Sequence, residues 1–246
     1  MYHFFTEPCN VLGEDIYLDG KDFNHIRNVL RMKQGEKVSV SDGISDKDYC
    51  CHIEDFEDDR VHLKVDEIKE SEVELPVQVT LYQGLPKSDK MDLIVEKCVE
   101  LGVTRIVPVA CSRSVVKLDA KKAAKRVEHW NGKAEAAAKQ SKRAVIPTVT
   151  QVMSMKEAMK DAASLDHRLI PYELAENFDA TRKAVDNIAP GSSVGIFIGP
   201  EGGFSEEEIR TAEEAGITPI TLGHRILRTE TAAMVVLSWF IYRFEK

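Results

Sequence analysis

Near its C-terminal end the chain reads Gly195-Ile196-Phe197-Ile198-Gly199-Pro200-Glu201-Gly202-Gly203, a short apolar run followed by a loop of three glycines, a proline and a glutamate. The apolar run is typical of a buried strand, and Ser205 with Glu208 predicts a capping box that begins a helix after the loop. Glycine permits a tight backbone path with exposed amide groups and no side chains in the way of a ligand. This strand–loop–helix unit predicts a parallel sheet with a binding site at its strand ends.

A second loop of the same kind follows. A strand ending at Leu222 leads through residues 223–229 into an apolar helix predicted over about 230–244. Ile226 and Leu227 can line an adenine slot, and the start of the helix supplies free amide groups. Taken alone, each loop is better explained as a simple strand-to-helix turn. Two such loops on late strands of one sheet favour a cofactor pocket.

The sequence lacks the common phosphate and metal motifs. It contains neither GxGxxG nor GxxxxGK[ST], and it does not contain HExxH. The five cysteines show no CxxC spacing, so we predict no disulfide framework and no metal site. A pocket of glycine backbone and aliphatic side chains, without a lysine clamp for phosphate, suits an uncharged adenosine better than a polyphosphate.

The chain has two parts that differ in their sequence pattern, and we predict a domain boundary between residues 72 and 73. Residues 1–72 contain strand-like runs, turn signals and one helical segment at 22–32, which predicts a small barrel or sandwich. Residues 73–246 alternate strands with helices, which predicts a mostly parallel sheet covered on both faces. With 43% hydrophobic residues, no membrane-spanning run and no secretion signal, the sequence predicts a cytoplasmic protein.

The net charge of −8 is unevenly distributed. Residues 1–72 hold nine basic against eighteen acidic residues, whereas residues 87–143 hold fourteen against seven. A basic stretch of this kind can face RNA phosphates, although a solvated helix face has the same composition. Trp130 and His129 can stack on a base, but core packing of Trp130 is favoured. The candidate RNA contacts are Arg27, Arg31, Lys87, Lys90, Arg113, Gln140, Lys142 and Arg143.

Several segments resemble one known family. Residues 199–205, and 222–223 together with 225–232, are similar to the two signature loops of the small-subunit ribosomal RNA uridine-N3 methyltransferases of the SPOUT class. The resemblance covers nearly the whole chain, including residues 4–5, 25–32, 85–87, 92–102, 112–114 and 140–143. Two positions depart from the family pattern: Tyr2-His3 stands where arginine is frequent, and Lys139 where glutamate is frequent. Both departures concern RNA affinity.

The resemblance implies an α/β fold with a trefoil-knotted, mostly parallel SPOUT sheet domain and a small N-terminal PUA-like, RNA-binding β-barrel. It implies S-adenosylmethionine as methyl donor, N3 of a specific uridine in 16S ribosomal RNA of the 30S subunit as target, and a homodimer. The predicted cofactor-binding residues are Ile198, Gly199, Pro200, Glu201, Gly202, Gly203, Leu222, Gly223, Ile226, Leu227, Arg228, Thr231 and Ala232.

Arg228 and Glu230 are the candidate catalytic residues. Methylation of uridine N3 requires the loss of a weakly acidic proton. Arg228 can polarise the uracil carbonyls, or form a salt bridge with Glu230 at the helix start. Glu230 or Glu201 can accept the proton, although the helix dipole favours structural roles for both, and water is a further acceptor.

Two other functions remain compatible with the sequence. One is a non-catalytic RNA-binding or assembly protein that retains the cofactor fold. The other is a methyltransferase of the same class that acts on transfer RNA or on a ribose 2′-OH.

Overall fold

A computed structural model describes residues 1–175 and 177–245 of the chain. The chain forms two compact units, of which the first comprises residues 1–74 and 138–146 and the second comprises residues 75–137 and the remainder from 147. The return of residues 138–146 to the first unit was not expected from the sequence. Among the described residues, no helix combines the length and hydropathy needed to cross a membrane.

The first unit is built on a six-stranded sheet with the strand order β1-β4-β5-β6-β3-β2. β1 and β4 pair in parallel and the other neighbours are antiparallel. Alternate residues fill the core, so that Val61 and Leu63 are fully buried as their spacing predicts. The strands are β1 (Tyr2–Phe5), β2 (Val11–Leu12), β3 (Asp15–Asp19), β4 (Lys37–Ser41), β5 (Lys47–Phe56) and β6 (Arg60–Glu70).

The helical segment of this unit begins and ends earlier than the predicted residues 22–32. Helix α1 spans Gly20–Asn24 and continues as a π-helical turn over His25–Val29. Regular helical spacing would place Ile26 and Val29 on one face, but Ile26 is buried whereas Val29 is 62% exposed. The wider i→i+5 turn changes the angular spacing of the side chains and carries Val29 away from the buried face.

A buried ion pair holds residues 138–146 in the first unit. Arg143 is 2% exposed, and its Nε and Nη2 atoms lie 3.2 and 2.6 Å from Oε2 of Glu74. The Glu74 carboxylate also accepts hydrogen bonds from the backbone N–H groups of Ala144 (3.1 Å) and Val145 (3.3 Å). Arg143 is therefore committed to the interior of this unit, and it does not present the free guanidinium that a phosphate contact requires.

In the second unit, all strand pairings are parallel and follow the order β10-β8-β7-β12-β11-β13, with β9 also beside β8. The strands are β7 (Gln78–Gly84), β8 (Arg105–Ala110), β9 (Thr148–Val149), β10 (Met153–Ser154), β11 (His167–Pro171), β12 (Ser193–Ile198) and β13 (Thr218–Ile220). The helices are α2 (Lys90–Glu100), α3 (Ala120–Ser141), α4 (Met155–Ala162), α5 (Phe178–Asp186), α6 (Glu206–Glu214) and α7 (Thr229–Phe244).

The order of the strands determines where a ligand can bind. The chain leaves β7 toward β8 and β10, then returns on the other side of β7 through β11, β12 and β13. In open parallel sheets, ligands bind beyond the carboxyl ends of the strands at such a change of direction. The loops after β11, β12 and β13 lie together at one edge of the sheet.

Trp130 of α3 is 2% exposed and donates a hydrogen bond to Asp92, which confirms its expected place in the core.

Candidate functional site

A cavity of about 600 Å³ lies at this edge, within the second unit. Its volume falls in the range of small-molecule binding sites. Three loops form most of its wall, and Lys90 at the start of α2 and Arg113 in the loop after β8 complete it. The lining comprises residues 171–174, 198–204, 206, 221–223, 225–229 and 232, together with Lys90 and Arg113.

The first loop, which follows β12, is a tight turn that requires glycine. The N–H of Gly203 donates to the Pro200 carbonyl at 2.9 Å, and Gly203 has a φ of +65°. A side chain at Gly199 would lie 3.1 Å from the backbone of Gly203, and one at Gly202 would lie 3.1 Å from Cβ of Arg113. The crowding explains the sequence pattern, because only glycine allows the backbone to close this turn beside the cavity.

Glu208 anchors the far end of that loop. The predicted capping box is present, with the Ser205 hydroxyl accepting from the Glu208 N–H. The Glu208 carboxylate also accepts hydrogen bonds from the backbone N–H and the hydroxyl of Ser112, both at 2.8 Å. Burial opposes ionisation of Glu208, but the hydrogen bonds from Ser112 and Ser205 outweigh it and lower the pKa of the carboxyl. One carboxylate thus joins the loop after β8 to the start of α6.

The second loop, which follows β13, supplies the apolar part of the wall. Leu222 and Leu227 are partly buried, whereas Ile226 is 82% exposed at the mouth of the cavity. Gly223 has a φ of +107°, and its N–H donates to the Thr221 hydroxyl. His224 is exposed, with its ring 6.0 Å from that of Phe178.

A cluster of three charged groups stands at the cavity wall. Nζ of Lys90 lies 3.1 Å from Glu201 and 3.4 Å from Glu230. Glu201 also accepts a hydrogen bond from the backbone N–H of Lys87 at 3.1 Å. Burial opposes ionisation of Glu201, but hydrogen bonds from its own backbone N–H and from Lys90 lower its pKa. The hydrogen bond to Glu201 in turn raises the pKa of Lys90.

Arg228 lies at the N-cap position of α7, where its side chain is exposed and lines the cavity. The salt bridge between Arg228 and Glu230 that the sequence allowed is not formed among the described residues, and Glu230 pairs with Lys90 instead. The guanidinium is therefore available to a ligand. The free backbone N–H groups in the first turn of α7 lie at the same end of the helix as Arg228.

The cavity brings together twelve of the thirteen residues expected to bind a cofactor. Thr231, the thirteenth, is exposed on α7 and is not part of the described lining. Sequence reasoning missed residues 171–174, Thr221 and Thr229. The apolar run at the end of β11 was the available signal, because a loop that follows this strand opens at the same edge as its neighbours.

The candidate RNA contacts separate into three groups, of which the first is the buried Arg143. Lys90 and Arg113 belong to the cavity wall, and Nη1 of Arg113 donates to the Gly202 carbonyl at 3.1 Å. The side chains that remain exposed and outside the cavity wall are those of Arg27, Arg31, Gln140 and Lys142 in the first unit and Lys87 in the second. Lys139, one of the departures from the family pattern, pairs with Asp22 at 3.1 Å.

Comparisons with known proteins agree with this architecture. Residues 73–241 match the model of an RNA methyltransferase domain, and residues 18–66 match that of an RNA methyltransferase PUA domain. The chain is 38% identical to the ribosomal RNA small subunit methyltransferase E of Bacillus subtilis, over 93% of this chain and 90% of the relative. A relative of the same name from Mycobacterium bovis is 30% identical over 95% of this chain and 88% of its own length.

A solved structure shares the fold over almost its full length. The crystal structure of a ribosomal RNA small subunit methyltransferase E from Neisseria gonorrhoeae, bound to S-adenosyl methionine, has a TM-score of 0.85 and 31% identity. The match covers 99% of this chain and 98% of that one. The expected combination of a mostly parallel SPOUT-type domain with a PUA-like N-terminal domain is therefore confirmed.

Proposed function

The chain belongs to the family of ribosomal RNA small subunit methyltransferases, and we propose that it transfers a methyl group from S-adenosylmethionine to N3 of a specific uridine in 16S ribosomal RNA. The observation that carries the proposal is the cavity at the carboxyl edge of the parallel sheet, because both family signature loops form its wall. An activity on ribosomal RNA accords with the cytoplasmic location expected from the sequence.

The cavity fits the methyl donor. Glycine backbone and the aliphatic side chains of Leu222 and Leu227 offer hydrogen bonds and apolar contact to an adenosine. Lys90 is ion-paired with Glu201 and Glu230, so its ammonium is held by carboxylates and does not form a clamp for a polyphosphate. S-adenosylmethionine supplies an activated methyl group there, and the protein must present the uridine to it.

We assign Arg228 the role of stabilising the uridine anion. Loss of the N3 proton places negative charge on the uracil carbonyl oxygens, and an unpaired guanidinium at the cavity is suited to receive it. Arg228→Lys keeps the charge but loses the planar pair of donors, and Arg228→Met loses both. We expect kcat to fall by about 10²–10³ for Arg228→Met, with a smaller fall for Arg228→Lys.

We propose that solvent takes the proton. A general base works best with a pKa near the working pH, whereas the pKa of Glu201 is lowered and Glu230 is ion-paired in the first turn of α7. Glu230→Gln should therefore change kcat by less than about threefold, and the rate should rise with pH without an enzymatic inflection near neutrality. A loss of about 10² or more in kcat with loss of a titration would identify Glu230 as the base.

The RNA contacts we propose are the exposed side chains Arg27, Arg31, Gln140, Lys142 and Lys87. Each cation that meets a phosphate adds to the salt dependence of binding, so its removal should lower the slope of log affinity against log salt by about 1. Filter binding of 16S ribosomal RNA across a salt series tests each variant. Lys21, an exposed lysine outside this set, serves as the matched control.

We further propose a homodimer formed through α7. Tyr242 is 92% exposed on this helix, and Val235 and Trp239 remain only partly buried within one chain. A second copy of the helix would cover these side chains. Light scattering should give twice the mass of 27.6 kDa, and Tyr242→Lys should shift the protein toward the monomer.

The decisive experiment combines labelled S-adenosylmethionine with 30S subunits, or with free 16S ribosomal RNA, from a strain that lacks the modification. We expect label on one uridine and N3-methyluridine by mass spectrometry of the nucleosides. A ribose-methylated nucleoside would overturn the assignment of N3. Binding of the methyl donor without transfer to either substrate would instead support a non-catalytic RNA-binding role. The ratio of label in 30S subunits to label in free RNA identifies the true substrate.

A further inference from the structure

One buried side chain links the two loops of the cavity without lining it. Gln83 is the penultimate residue of β7, where it pairs in register with Ile198 of β12, and it is 0% exposed. Its Nε2 atom donates hydrogen bonds to the Thr229 hydroxyl at 2.8 Å and to the Gly84 carbonyl at 3.0 Å. The hydroxyl of Thr229 lies in turn 2.6 Å from the carbonyl oxygen of Gly199.

The direction of these hydrogen bonds is fixed by their last member. The Gly199 carbonyl can only accept, so the Thr229 hydroxyl donates to it. The hydroxyl must then accept from Gln83, which turns the amide nitrogen toward Thr229. The hydrogen bonds therefore run from the amide N–H of Gln83 to the hydroxyl of Thr229 and from this hydroxyl to the carbonyl of Gly199, an arrangement that we call the relay. An ionised carboxylate or an apolar side chain at position 83 cannot reproduce it.

The relay joins the ends of both loops. Gly199 begins the first loop directly after β12, and Thr229 ends the second loop as the first residue of α7. Both residues line the cavity, and Thr229 is 5% exposed. Because Gln83 lies on β7, which pairs with β8 on one side and β12 on the other, the relay ties both loops to an interior strand of the sheet.

The other end of the amide supports a positional role. Oε1 of Gln83 is buried, and within residues 1–175 and 177–245 it has no hydrogen-bond partner. A buried acceptor without a partner costs free energy that an apolar side chain of similar size would avoid. The donors of this amide therefore account for its presence, and both of them are used by the relay and by Gly84.

We propose that Gln83 and Thr229 are positioning residues that hold the two loops at the separation required by the methyl donor. The inference rests on the proposed function, because the ligand in question is S-adenosylmethionine. Hydrogen bonds in series and away from water reinforce one another, and a pocket held in its bound shape binds its ligand more tightly. Without the Thr229 hydroxyl, the ligand must order the Gly199 carbonyl and the start of α7 as it binds.

Two substitutions at one position separate the hydroxyl from the packing. Thr229→Val keeps the shape and removes the hydroxyl, whereas Thr229→Ser keeps the hydroxyl. By titration calorimetry with S-adenosylmethionine, we expect Thr229→Val to weaken Kd by about tenfold, which corresponds to ~1.4 kcal/mol, and Thr229→Ser to stay within about twofold of wild type. Equal affinities for Thr229→Val and wild type would overturn the relay.

Gln83→Glu provides a second test that does not depend on the folding of Thr229→Val. A buried carboxyl has a raised pKa, so at low pH the neutral acid can donate to Thr229, while at high pH the carboxylate cannot. The loss of affinity relative to wild type should be about tenfold at pH ~8.5 and about two- to threefold at pH ~5.5. A ratio independent of pH would refute the proposal. If the wild-type protein itself did not bind S-adenosylmethionine, the proposed function would be refuted together with the relay.

Discussion

Substitution of Arg143 provides a direct test of how residues 138–146 are held. The guanidinium makes two contacts with Oε2 of Glu74, at 3.2 and 2.6 Å, and the two side chains are only 2% and 14% exposed. Arg143→Met removes the cation and leaves the buried carboxylate with the N–H groups of Ala144 and Val145 as its hydrogen-bond donors among the described residues. Breaking a buried pair from one side costs about 3–5 kcal/mol, a large part of the total stability of a domain.

Urea denaturation followed by circular dichroism measures this loss, and we expect the midpoint to fall by on the order of 1–2 M. Glu74→Gln in the Arg143→Met background should recover at least half of it, because the amide oxygen still accepts from the backbone while the buried charge is gone. The matched control is Lys142→Met, an exposed neighbour whose removal should change stability by less than about 0.5 kcal/mol. A cost below about 1 kcal/mol for Arg143→Met, together with a lower salt slope of RNA binding, would refute the buried-pair assignment.

Three further substitutions or conditions have defined outcomes. Burial lowers the pKa of His3, although the negative charge of Asp48 opposes this shift. The free energy of unfolding should therefore fall as the pH drops below about 6.5. Urea titrations at several pH values should show that His3→Gln flattens this dependence. Glu208→Ala removes the carboxylate that accepts hydrogen bonds from both Ser205 and Ser112. We expect thermal unfolding to show a loss of about 1–3 kcal/mol in stability, and calorimetry to show weaker binding of S-adenosylmethionine. An unchanged Kd would show that this anchor does not shape the loop. Gly84→Ala places Cβ 2.6 Å from the backbone nitrogen of Pro200, so calorimetry should detect no binding of the methyl donor; near-normal affinity would mean that the loop after β12 can move aside.

The loops of the cavity could be predicted because their signals are local. Glycine and proline in residues 199–203 determine the turn, and Ser205 with Glu208 determines where the next helix begins. The apolar run before this turn was predicted as a strand, and it forms the end of β12 (Ser193–Ile198). Helix α4 was missed, although Ser154 and Glu157 form a capping box of the same kind.

The contacts that could not be predicted join residues far apart in sequence. Arg143 and Glu74 are separated by 69 residues, and nothing near either one indicates that the other is buried beside it. Composition therefore suggested a phosphate contact, since an arginine beside a basic helix is more often exposed. Lys90 was assigned to RNA for the same reason, although its partners Glu201 and Glu230 lie on the two later loops.

The position of Lys90 changes what the cavity can do chemically. In the sequence, Glu201 and Glu230 were two possible proton acceptors beside one possible cation, Arg228. In the structure, the ammonium group of Lys90 lies 3.1 Å from Glu201 and 3.4 Å from Glu230. Arg228 has no carboxylate partner among the described residues. A site arranged to abstract a proton would leave a carboxylate free and raise its pKa, whereas here the pKa of Glu201 is lowered. In the proposed reaction, the positive charge that Arg228 presents at the cavity would stabilise the deprotonated uridine. Catalysis in this protein would then depend on stabilising the anion beside a bound methyl donor, and the acidic residues would serve to hold the wall of the pocket.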